Sequence, residues 1–118
     1  MTTFSISSST VSPTFASITQ AAPGVGRRNV VTGFLGTYVN IVGPIASGTL
    51  VLRDAAAGVA PTVMLIAART IAAGEIFIFS QIFETPFIGS ENTATTVEFT
   101  SIVGAGGAQT CTIMGYVI

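Results

Sequence analysis

Turn residues punctuate this chain at short intervals, and between them apolar side chains alternate with small polar ones. Pro23-Gly24, Gly43-Pro44, Gly58 with Pro61, Gly74, Gly89 and the glycine-rich stretch 104–107 mark the breaks. Residues 49–53 place Leu50 and Leu52 on one side and Thr49, Val51 and Arg53 on the other; residues 93–101 place Val97 and Phe99 inward and Ala94, Thr96 and Glu98 outward. A period of two is the signature of a strand with one buried face. No segment keeps apolar residues at the three- and four-residue spacing of an amphipathic helix. Residues 54–60 are rich in alanine, but Gly58 and Pro61 cut them short and make them a loop. The reading is an all-β chain of seven or eight short strands without crossover helices, folded as an antiparallel β-sandwich or jelly roll.

The 118 residues fit one core. Residues 1–13, rich in Ser and Thr, read as an extended N-terminal arm or first strand with Phe4 and Ile6 on one side; residues 14–118 read as a single sandwich domain. A short strand over 14–21 precedes a long one over 29–40, in which Gly33 and Gly36 mark a bulge or a close backbone approach. The run VMLIAA within residues 62–69 suits a strand covered on both faces, by core on one side and by a neighbouring subunit on the other.

Residues 75–83 have two apolar faces: Ile76, Ile78 and Ile82 on one, Phe77, Phe79 and Phe83 on the other. One face suffices for the chain's own core, so the second is either an interface or covered by a loop of the same chain, and which is which stays open. Residues 84–92 read as a loop broken by Pro86 and Gly89, with Phe87 and Ile88 either plugged under the sandwich or projecting as an anchor. Phe4, Ile6, Phe77, Phe79, Phe83, Phe87 and Ile88 are therefore the candidate interface residues.

Charge is scarce. Four arginines and five carboxylates, with no Lys and no His, make 8% of the residues, against about 25% in an ordinary soluble domain. Such a surface suits permanent contact with a partner. A net charge of -1 and no basic run argue against nucleic acid, leaving Arg27-Arg28 as a turn pair or a contact to a partner carboxylate. The charge-free stretch 29–52 is long enough to cross a bilayer, but its glycines, Asn40 and Pro44 break any helix, and no membrane span is expected. The N-terminus has no basic region followed by an apolar run, so no secretory signal is expected.

Candidate chemistry is thin. Cys111 has no histidine to activate it and reads as a small buried hydrophobe. The stretch 104–107 lacks the Lys-Ser or Lys-Thr of a phosphate loop, and Gly24-Val25-Gly26 leads into a strand where a dinucleotide site needs a helix. Glu84 and Glu91 flank one loop and could pair as glycosidase carboxylates or calcium ligands, but the chain has no Trp for sugar stacking and few carboxylates. Arg53-Asp54 reads as a turn or subunit ion pair. No catalytic, metal or cofactor site is expected.

The succession AAPGVGRRNVVTGFLGTYVN, GTLVLRDAAAG, IAAGEIFIFS and GSENTATTVEFTSIVGAGGAQTCTIMGYVI, covering residues 21–118, resembles in its rhythm the small β-sandwich virion proteins of tailed bacteriophages, most of all capsid decoration (cement) proteins. That resemblance implies a subunit made in the host cytoplasm that sits on the outer surface of the head, often as a homotrimer, and clamps neighbouring major capsid proteins. Similar domains in tails, fibres and baseplates, or a sandwich that binds carbohydrate or a receptor through its loops, are the alternatives. The family has no catalytic residues to transfer.

Overall fold

The computed structural model describes residues 2–11, 16–40, 45–72, 74–103 and 107–118. Their eight strands are β1 (Thr2–Val11), β2 (Ser17–Gln20), β3 (Asn29–Asn40), β4 (Ile45–Arg53), β5 (Thr62–Ala72), β6 (Ile76–Ile88), β7 (Thr95–Val103) and β8 (Gly107–Val117). They form two four-stranded antiparallel sheets in the orders β1-β8-β3-β6 and β2-β7-β4-β5. Residues 2–11 are thus a full strand of the first sheet, paired with β8 from Thr2 opposite Val117 to Val11 opposite Ala108.

The pairing is nested, β1 with β8, β2 with β7, β3 with β6 and β4 with β5. A chain folded back at the β4–β5 turn into one long hairpin pairs in this way. Rolling that ribbon sets β8 beside β3 and β7 beside β4, which closes two sheets over one core. The fold is a jelly roll.

Between the sheets, Phe34, Tyr38, Cys111 and Ile113 of the first meet Leu50, Leu52, Val97 and Phe99 of the second, all buried. Gly36 lets the sheets close: a Cβ there would lie 2.5 Å from Leu50 Cδ2. The phenyl ring of Phe34 lies 5.5 Å from that of Phe79 and 5.8 Å from that of Phe83. Tilted rings at this separation are a favourable aromatic geometry.

Two local readings of the sequence change. The loop expected over residues 84–92 is mostly strand, since β6 runs on to Ile88 and only a short turn follows. The alternation was broken by an irregularity: Val31 faces Phe87 and Gly33 faces Ile82, so Phe83, Glu84, Thr85 and Pro86 stand opposite Thr32 alone. Pro86 cannot donate to a ladder, and an edge strand tolerates it. The strand expected over 14–21 is confined to Ser17–Gln20, residues 12–15 lying outside the described residues. Strand β5 is an edge strand whose core side is the chain's own: Met64 packs on the core while Val63 and Leu65 are exposed.

Candidate interaction face

The strands of the first sheet alternate, so one set of side chains lines the core and the other faces away from it. On β1 the outward residues are Thr3, Ser5, Ser7 and Ser9; on β8 they include Ala108, Thr110 and Thr112; on β3 they include Leu35, Thr37 and Val39. On the edge strand β6 they are Ile76, Ile78, Ser80, Ile82 and Glu84. Glu84 is the one charge among the described outward residues of this sheet. Ile76, Ile78 and Ile82 are 52%, 64% and 65% exposed, and Ile88 at the far end of the strand is 56% exposed. On the opposite flank of the same edge, Leu65 and Val63 of β5 are 62% and 40% exposed.

A long apolar edge strand offers both greasy side chains and unpaired backbone groups, which proteins ordinarily protect with charge, proline or cover. Here Glu84 and Pro86 interrupt β6 only near its second half. Toward β1 the hydroxyls of Ser7 and Thr112 bond at 2.7 Å and those of Thr37 and Thr110 bond to each other, while Met114 and Tyr116 continue the outward row of β8.

Arg28, Asp54 and Glu91 gather at one end of the roll. The carboxylate of Asp54 accepts the Ser90 N–H and hydroxyl, Glu91 Oε1 accepts the Gly26 N–H at 2.7 Å, and Arg28 Nη1 donates to the Gly89 carbonyl. Asn92 Oδ1 accepts the Gly24 N–H, and the buried Asn29 amide donates to the carbonyls of Ala21 and Thr93. Gly24 and Gly26 have φ of 107° and 76°, left-handed values that cost a glycine little. These bonds staple the β2–β3, β4–β5 and β6–β7 connections together and engage Arg28, Asp54 and Glu91 within the chain.

An ion pair lies on the outside of the second sheet. Arg53 pairs with Glu98, and the β4–β5 loop folds over both, with Gly58 N–H donating to the same carboxylate oxygen. Thr96, also outward, donates its hydroxyl to the Ala55 carbonyl. Thr96 and Glu98 do face outward, yet the loop buries them.

Seven residues were candidates for an interface from the sequence, and the structure turns six of them toward the core. Phe77 is buried, and Phe4, Ile6, Phe79, Phe83 and Phe87 are half-buried and packed against the core cluster. Only Ile88 is exposed. Register decides this, because a strand with two apolar faces shows opposite sides to the core at successive registers. Pairing with β3 brings Phe79 and Phe83 onto the ring of Phe34 and leaves the isoleucines outside. The isoleucine row was legible in the sequence as the second apolar face, but nothing there ranked it above the first.

The other sequence candidates hold no reactive arrangement. Arg53 and Asp54 have separate partners, Glu98 and Ser90. Glu91 is tied to Gly26, while Glu84 is exposed on β6. Burial pushes the Cys111 thiol up to about 12, and its sulfur lies 3.5 Å from the Ala16 carbonyl. Burial likewise raises the Tyr38 phenol above its ordinary value. Among the described residues no group of three or more His, Cys, Asp or Glu side chains is placed to hold a metal ion, and no helix is long and apolar enough to cross a membrane. No protein family, curated protein or solved structure matches the chain.

Proposed function

We propose that this protein is a structural subunit of a bacteriophage virion, a decoration protein that associates with itself as a homotrimer and clamps the major capsid proteins of the head from outside. The observation that carries the reading is the outward face of the β1-β8-β3-β6 sheet, which has one described charge and a row of isoleucines more than half exposed. Exposed apolar surface on this scale marks a contact surface more often than a solvated one. The chain's other charges support the same reading, since those at the stapled end serve its own loops. The resemblance of residues 21–118 to decoration proteins supplies the partner: the major capsid protein on the head exterior.

In this reading the protein is a non-enzymatic clamp. It needs no cofactor, and nucleic acid and membrane are not its partners. Rigidity is what such a clamp requires, and two sheets sharing one aromatic core provide it.

Co-sedimentation with expanded phage heads tests the proposal. Wild-type protein should pellet with the heads at a fixed ratio to the capsid subunit and raise the temperature at which they rupture. A folded protein that stays in the supernatant with every head tried, and binds purified glycans or tail structures, would replace the decoration role with that of a receptor-binding or tail accessory.

A further inference from the structure

We infer that the stapled end of the roll holds one buried water molecule between the two sheets, which accepts the Thr95 hydroxyl hydrogen and donates to the Asn29 side-chain oxygen. This site is independent of the proposed function. Among the described residues, three buried side-chain polar atoms have no hydrogen-bond partner in the chain: Asn29 Oδ1, Tyr38 Oη and Thr95 Oγ1. Tyr38 stands near the opposite end of β3, whereas Asn29 and Thr95 share one place.

Asn29 opens β3 and Thr95 opens β7, so the two residues come from different sheets. Asn29 is in phase with Val31, and Thr95 with Val97 and Phe99, which puts both side chains on the core side of their strands; both residues are 0% exposed. They meet at the same end. The Asn29 amide donates to the Thr93 carbonyl, two residues before Thr95. Both also border Gly89, whose N–H donates to the Asn29 carbonyl at 2.8 Å and whose Cβ, if it had one, would lie 3.4 Å from Thr95 Cγ2.

The needs of the two atoms are complementary. Asn29 Nδ2 spends its two hydrogens on the carbonyls of Ala21 and Thr93, and turning the amide over would set oxygen against oxygen twice. Oδ1 therefore keeps its place and requires a donor. A buried threonine hydroxyl has a hydrogen to give and requires an acceptor. One water supplies both, which is how chains commonly satisfy polar groups that they bury unpaired. A cation fits the pair poorly. It cannot accept the hydroxyl hydrogen, the neighbouring Asp54 carboxylate is engaged by Ser90, and the Arg28 guanidinium on the Gly89 carbonyl already brings positive charge to this end. The water ties β3 of one sheet to β7 of the other, beneath the loops that Asp54 and Glu91 hold together.

A high-resolution crystal structure of the full chain tests this site, with thermal melting of Thr95→Val beside it. One ordered water should lie within about 3.2 Å of both Asn29 Oδ1 and Thr95 Oγ1. Thr95→Val keeps the side chain's shape and removes its hydroxyl, so it should melt about 3–6 °C below wild type. A direct bond between the two side chains, a metal ion in the site, or no water touching both atoms overturns the inference. So does a Thr95→Val variant that melts at or above wild type, because the hydroxyl would then have had no partner to lose. If Thr95→Val does not fold, the wild-type crystal structure alone decides.

Discussion

Arg53 reaches across from β4 to pair with Glu98 of β7 on the outer surface of the second sheet, beneath a loop that both side chains help to hold. Arg53 Nη1 also donates to the Thr62 hydroxyl at 3.0 Å, and Gly58 N–H shares the carboxylate. The two side chains are only 14% and 11% exposed, so the pair is well shielded from solvent. Removing one member leaves the other charge largely buried without its counter-ion. Glu98→Gln should therefore cost about 2–3 kcal/mol, read as a lower midpoint in urea unfolding. An unchanged midpoint would mean that the pair is effectively solvated.

Gly36 is a point of close approach between the sheets. A methyl group there would lie 2.5 Å from Leu50 Cδ2, closer than real Cβ contacts come. Gly36→Ala should destabilise the fold by about 1–3 kcal/mol, and pairing it with Leu50→Ala in a double-mutant cycle should recover part of the loss. Purely additive effects would show that the sheets do not meet at this point.

Cys111 sits in the core at 0% exposure, and burial raises its thiol from its ordinary 9.0 to about 12. A raised pKa means that the folded state holds its proton more tightly than the unfolded state does. The stability this represents is fully present below about 9 and is lost as pH rises toward 12. Wild type should lose more stability than Cys111→Ala over that window. In native protein near neutral pH the thiol should react with thiol reagents only as fast as the chain opens, and prompt labelling would place it at the surface.

Residues 2–11 pair with β8 from end to end, and Phe4 and Ile6 pack on the core. Deleting them exposes one side of β8 and the aromatic cluster, against a total stability on the order of 10 kcal/mol. The truncated chain should lose its cooperative thermal transition. A deletion that melts like the full chain would make β1 a detachable arm.

How far the sequence reaches into this structure depends on how one-sided each strand is. Leu50 and Leu52 against Thr49, or Val97 and Phe99 against Thr96, announce their inner face, and both sets lie where the alternation puts them. Strand β6 announces nothing, because Phe77, Phe79 and Phe83 are as apolar as Ile76, Ile78 and Ile82; only its register with β3 chooses between them. Pro86 and Gly89 look alike as breakers, yet Pro86 falls inside an edge strand, where its missing donor costs little. Thr96 and Glu98 read as solvent-facing because no local pattern reveals that the β4–β5 loop folds back over them. Nested pairing, too, is a property of long-range contacts that strand periodicity does not encode.

The mass of the protein in solution tests most directly the proposed self-association through the exposed isoleucines of β6. Sedimentation equilibrium over a dilution series should give a trimer for wild type and a monomer for Ile82→Arg, the two having the same melting temperature. A wild-type monomer at every concentration, or an Ile82→Arg variant with the wild-type mass, would contradict it.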